Sequence, residues 1–172
     1  MAAKAILDRT KSKKPPVAET LTELKGGHRL IKCRGSKSKY TRHFRITEDL
    51  IAMVYTDSHK PDCVAGKDDM SNVYITEIHE IRDTPSSDVF KKQLPSLSGK
   101  EQQCFSLVVG ERHKTLDLVA PSPKVKDSWV IGLNHLKKKL EQADLATKQD
   151  VWMRELFRQA DKNGDNALNL KE

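Results

Sequence analysis

The sequence predicts an α+β domain: a small antiparallel β-sandwich or open barrel closed by one amphipathic helix, with a second helix after it. Three observations predict it. Short segments rich in β-branched and aromatic residues follow one another at close spacing from about residue 28 to residue 119. Clusters of turn-forming residues separate them. Beyond residue 122 the apolar residues change from the strand period to the helical one.

Each element has its own signal. Residues 1–20 are polar, basic and broken by Pro15-Pro16, and read as a disordered basic arm. Strands are expected near 28–34, 40–46, 50–56, 72–76, 78–82, 102–109 and 115–119. Gly35-Ser36-Lys37-Ser38 marks a hairpin turn, and Thr47-Glu48-Asp49, 57–71 and 110–113 mark further turns and loops. Residues 84–100 interrupt the strands, with Ser87–Leu94 a short helix inside a long loop. The closing helix starts with Ser122 as N-cap and Pro123 in the first turn, where its missing N–H costs nothing. Val125, Trp129, Leu133, Leu136 and Leu140 give it one apolar face, and Trp129 reads as a core plug. After a linker over 141–146 a second helix is expected, with Thr147 and Asp150 as a capping pair and Val151, Trp152, Leu156 and Phe157 on its apolar side. The expected organisation is an arm over 1–20, one domain over 21–141, and a linker with a helix and loop over 142–172.

Charge is distributed unevenly. The chain carries a net +7. Residues 1–20 hold five Lys/Arg against two acids, residues 21–45 hold eight against one, and the remainder is acidic. A molecule basic at one end points to an anionic surface or polyanion as partner. With only Tyr40 and Phe44 near the cations, the aromatic interleaving of a single-strand nucleic-acid binder is missing, so nucleic acid is not expected. No apolar run approaches a membrane span, and no secretory signal is expected at the N-terminus. Cys33, Cys63 and Cys104 lie far apart without metal-ligand spacing, which reads as idle thiols in a reducing, cytosolic setting. The six histidines form no metal-like cluster, and no phosphate-binding loop, nucleophile elbow or other catalytic constellation is present.

The candidate site is the hairpin over 31–45, which holds Lys32, Arg34, Lys37, Lys39, Arg42 and Arg45 and no acid. Side chains two apart on a strand share a face, so Lys32 and Arg34 point the same way. Arg42 has the parity of Phe44 and Ile46 and belongs at the open end of the core. A rigid hairpin that converges cations suits a small ligand bearing several phosphates.

A second motif closes the chain. Asp161, Asn163, Asp165, Ala167 (through its carbonyl), Asn169 and Glu172 fall at the ligand positions of an EF-hand calcium loop. Asn166 replaces the usual glycine, and no exiting helix follows Glu172. Weak calcium binding or none is expected, and the chain is expected to be a piece of a longer protein.

These residues together resemble the N-terminus of phosphoinositide-specific phospholipase C, the delta type most. The segments that carry the likeness are Leu24-Lys25-Gly26-Gly27, Cys104-Phe105-Ser106-Leu107-Val108, Thr115–Ser122, Trp129-Val130-Ile131-Gly132-Leu133 and Ala160–Asp165. The resemblance implies a pleckstrin homology (PH) domain: a β-barrel of two near-orthogonal antiparallel sheets capped by a C-terminal helix, followed by a helix and an incomplete EF-hand. It implies that the domain holds the head group of phosphatidylinositol 4,5-bisphosphate, and soluble inositol 1,4,5-trisphosphate, at Lys32, Arg34, Lys39, Arg42, Ser58, Lys60 and Thr115. Ser38 and His59 depart from the family pattern and leave the isomer preference open. It further implies a monomer, peripheral at the cytoplasmic face of the plasma membrane. The parent would be a calcium-using phosphoric diester hydrolase that produces diacylglycerol and inositol trisphosphate; this chain holds no catalytic site and requires no cofactor. A scaffold module of a catalytically inactive relative, binding inositol phosphates or protein partners, is the alternative.

Overall fold

The computed structural model describes residues 16–56, 70–161 and 167–168. Strands β1 (His28–Arg34), β2 (Ser38–Ile46), β3 (Ala52–Thr56), β4 (Met70–Tyr74), β5 (Ile78–Arg82), β6 (Cys104–Val109) and β7 (Lys114–Val119) form an antiparallel sheet in the order β4-β3-β2-β1-β7-β6-β5. Every sequence-predicted strand is present, within a few residues of its expected ends. β1 is the pivot. It pairs with β2 along its whole length but with β7 only through Ile31, Lys32 and Cys33, so the sheet turns there from one half to the other. The two edge strands, β4 and β5, are joined by only three residues, the 3-10 turn Ile75–Glu77. Three residues span roughly 10 Å. The edges must therefore meet at that corner, and the single sheet curls into a half-barrel, in keeping with the open barrel the sequence predicts.

Helices complete the core. In α3 (Pro123–Glu141) the Ser122 hydroxyl caps Val125 N–H at 3.2 Å, as the sequence predicts. Trp129, Leu133 and Leu136 enter the barrel and pack with Phe44, Phe105, Leu107 and Leu118. The short helix α2 (Asp88–Gln93), capped by Ser87, lies outside the sheet. Its Phe90, with Leu97, covers Cys33, Cys104 and Val119.

Two expectations are corrected at the ends. Residues 1–15 lie outside the described residues, but Val17–Thr20 are not disordered: they open the helix α1 (Val17–Gly26). Thr20 and Leu24, four apart and fully buried, seat α1 on α3, where Gly132 leaves the room that Leu24 Cδ1 fills. Glu23 joins the same corner, accepting from Ser128 Oγ at 3.0 Å and lying 3.2 Å from His28 Nε2. With Leu21 and Leu24 as its main apolar residues, the segment has too weak a local period; tertiary packing decides it. In α4 (Leu145–Ala160) the cap is Asp144, whose Oδ1 accepts from Thr147 N–H at 2.8 Å. Thr147 thus supplies the capped N–H, and the Thr147–Asp150 pair lies inside the helix.

α4 also docks by a different face from its most apolar one. Val151 packs on the outer cluster of Ile51, Ala52, Val54 and Tyr74. Thr76 Oγ1 donates to Glu155 at 2.7 Å, and Arg158 pairs with Asp49 at 2.7 Å. Trp152, Leu156 and Phe157 remain exposed.

Candidate functional site

The register of the β1–β2 hairpin sets the site. Lys32 lies opposite Tyr40, and Leu30 opposite Arg42. Leu30 and Phe44 are core residues, so alternation puts Lys32, Tyr40 and Arg42 on the inner face as well. Lys32 and Arg42 are buried, at 6% and 8% exposure, which is unusual for cations and shows that the barrel wall aims them. Lys32 Nζ donates to Tyr55 Oη at 2.8 Å and sits 4.2 Å from the centre of that ring. Tyr55 in turn stacks on Phe44, at 4.6 Å between centroids. The ammonium therefore meets a neutral acceptor and the negative face of a ring at the end of the core. The Arg42 guanidinium lies over Tyr40 at 5.2 Å and donates to the Thr41 carbonyl at 3.0 Å. Arg34, exposed, stands beside them.

Lys32, Arg34, Tyr40 and Arg42 line one pocket of about 220 Å³. None of the four is an acid. Three cations and a phenol around one concavity favour an anion with several oxygens, and the arginine forks suit phosphate in particular.

The structure brings together Lys32, Arg34 and Arg42 among the sequence-predicted ligands and places two others elsewhere. Lys39 pairs with Cys33 across the hairpin, one residue out of phase with Tyr40 and Arg42. Its ammonium reaches Ser96 Oγ at 2.5 Å on the outer side of the sheet. Thr115 has the parity of Asp117 and Val119, opposite to the core residues Leu116 and Leu118. Its hydroxyl donates to Asp117 at 2.9 Å, and Ser106 donates to the other carboxylate oxygen at 2.6 Å. Both placements follow from period two: being near the tip or the loop does not decide the face. Ser58 and Lys60 lie outside the described residues.

Tyr40 and Tyr55 are the contributors that sequence reasoning missed. Tyr40 was legible by its parity with Arg42, and Tyr55 as the one polar-tipped aromatic in the apolar segment Ala52–Thr56.

Of the calcium-loop positions only Asp161 and Ala167 are described; Asn163, Asp165, Asn169 and Glu172 are not. Asp161 is buried and its N–H closes the last turn of α4 on the Phe157 carbonyl at 2.8 Å. Cys33 and Cys104 are buried thiols pushed up to about 11, chiefly by burial, which suits packing rather than nucleophilic work. Cys63 lies outside the described residues.

Comparison with known proteins bears on the family and the fold. The pleckstrin homology domain profile matches residues 18–138. The chain is 30% identical over 164 residues to 1-phosphatidylinositol 4,5-bisphosphate phosphodiesterase eta-2 of Mus musculus, covering 91% of this chain and 10% of that protein. It is 31% identical over 157 residues to the delta-1 protein of the same description from Homo sapiens, covering 90% of this chain and 20% of that one. The eta and delta types are thus matched alike. Inactive phospholipase C-like protein 2 of Mus musculus is 28% identical, over 94% of this chain and 14% of its own length. The chain spans a tenth to a fifth of the length of these relatives. Among solved structures, L. pealei PLC21 shares the fold with a TM-score of 0.56 at 16% identity, covering 76% of this chain and 18% of that one. By its profile match, its curled seven-stranded sheet and its closing helix, this chain belongs to the pleckstrin homology domain family.

Proposed function

We propose that this chain is the phosphoinositide-binding, membrane-targeting part of a phosphoinositide-specific phospholipase C. The observation that carries the reading is the pocket in which Lys32 and Arg42, both buried, converge with Arg34, no acid being among its described lining residues. Such a pocket takes the phosphates of phosphatidylinositol 4,5-bisphosphate on a membrane, or of inositol 1,4,5-trisphosphate in solution. Among the described residues no helix is long and apolar enough to cross a membrane. Attachment would be peripheral, through the head group and the basic first 45 residues. The delta and eta relatives, whose names state that lipid as their substrate, support the parent being a hydrolase. Its chemistry would lie in regions outside this chain. The calcium loop over 161–172 would act chiefly as a connector after α4. The likeness to an inactive phospholipase C-like protein supports a second reading, a scaffold module that uses the same pocket for soluble inositol phosphates or protein partners.

Liposome sedimentation tests the reading. At about 0.15 M ionic strength, the protein should bind vesicles containing phosphatidylinositol 4,5-bisphosphate well above vesicles whose negative charge is matched with phosphatidylserine. Equal binding to both would mean a diffuse basic surface in place of a pocket.

A further inference from the structure

We infer, resting on the reading of the Lys32–Arg42 pocket as the head-group site, that Gln93 is a positioning residue for that pocket. Gln93 ends α2, on the outer side of the sheet, and is 1% exposed. Its side-chain amide lies 3.1 Å from the Arg34 carbonyl, 3.1 Å from the Gly35 carbonyl and 3.3 Å from the Ser38 carbonyl. Those three residues bound the turn that joins β1 to β2. One NH2 group, with two protons shared among three acceptors, therefore gathers both ends of the hairpin turn.

The anchorage behind Gln93 is firm. Ser87 accepts from Phe90 N–H at 3.1 Å and starts α2, while Phe90 and Leu97 are buried against Cys33, Cys104 and Val119 on the back of β1 and its neighbours. Beside it, Lys39 reaches Ser96, which itself donates to the Gln93 carbonyl at 2.8 Å. The insertion between β5 and β6 thus grips the hairpin from the side opposite the pocket. Arg34, whose carbonyl Gln93 holds, lines that pocket on the inner side. The position of that turn sets where the Arg34 backbone stands at the pocket rim. Gln93 fixes it without contributing charge or touching the ligand. Its consequence is geometric: it fixes the spacing of Arg34 from Lys32 and Arg42, and hence which phosphate arrangement fits.

The test is titration of wild type, Gln93→Leu and Gln93→Glu with inositol 1,4,5-trisphosphate and inositol 1,3,4-trisphosphate, at two salt concentrations. Gln93→Leu keeps the volume and loses the donors; Gln93→Glu keeps the shape and sets an oxygen against three carbonyls. Affinity for whichever isomer wild type prefers should fall about three- to ten-fold, and the ratio between the isomers should narrow. For Gln93→Leu the salt dependence should stay as in wild type, because no charge is changed. A fall of equal size for both isomers would reveal a merely structural role and overturn the inference, as would unchanged affinity. Should the variants not fold, the Gln93 side-chain amide of wild type is read by NMR. Protection from exchange with a shift on adding inositol 1,4,5-trisphosphate supports the role, and rapid exchange without a shift overturns it. Wild type that binds neither compound would sink the head-group reading itself, a result distinct from the others.

Discussion

Lys32→Met should weaken binding of inositol 1,4,5-trisphosphate roughly ten- to a hundred-fold. Methionine keeps most of the lysine's buried stem and removes only the ammonium, so the loss reports the charge. Lys32 is fixed by rigid strand backbone and by Tyr55, whose hydroxyl lies 2.8 Å from Nζ. Its ammonium need not be ordered when ligand arrives. Losing a charge-assisted hydrogen bond costs about 1.5–3 kcal/mol, and each 1.4 kcal/mol is about ten-fold in affinity. Isothermal titration at physiological salt measures it, with a thermal melt alongside. The melting temperature reads separately any share that Lys32 has in the core through its Tyr55 contact. A loss under about three-fold would show that Lys32 serves the core and not the ligand.

Gly27→Ala should be the most damaging single methyl in the domain, lowering stability by about 3 kcal/mol or more. Gly27 joins α1 to β1 with φ +78° and ψ 170°, a conformation open almost to glycine alone. An added Cβ would also lie 2.6 Å from the Phe44 carbonyl and 2.9 Å from Arg45 Cβ, and would strike the His43 ring. The clash is with β2 itself, so relief would require parting α1 from the hairpin. Gly35→Ala is the control: its φ is +55° and nothing lies within 4 Å of its Cβ position, so it should cost only about 1–2 kcal/mol. Thermal or urea unfolding of both variants decides the matter, and equal destabilisation would contradict the account of the α1–β1 joint.

Most of the barrel was legible because its strands alternate and its turns are marked. Leu30, Phe44, Ile46, Leu116 and Leu118 fall on one face by counting in twos, and the structure buries each of them. The Ser122–Pro123 start and the Trp129–Leu133–Leu136 face of α3 were equally plain, since capping and helical period agree there. What escaped depended on contacts between elements distant in sequence. α1 exists because Gly132, more than a hundred residues later, makes room for Leu24. α4 docks through Val151, Glu155 and Arg158 because Thr76 and Asp49 are waiting on the barrel, whereas hydrophobicity alone favours Trp152 and Phe157. In the site, the charge run located the hairpin but not its two faces. Applying to Lys39 the alternation that placed Arg42 would have sent it outward, where Ser96 holds it. The role of Tyr55 had no local signal beyond a phenol in a mostly apolar strand, because its partner Lys32 lies on a strand that does not neighbour its own.

The most direct measurement of the central claim compares Arg42→Met with Lys37→Met by titration with inositol 1,4,5-trisphosphate at physiological salt. Each variant removes one positive charge from the same hairpin, so a diffuse field would treat them alike. Arg42 is buried in the pocket wall over Tyr40, while Lys37 stands exposed in the turn. Affinity should fall roughly ten-fold or more for Arg42→Met. For Lys37→Met, a solvated and screened charge, the loss should stay near two-fold. Equal losses for the two variants would contradict a pocket built by the β1–β2 hairpin.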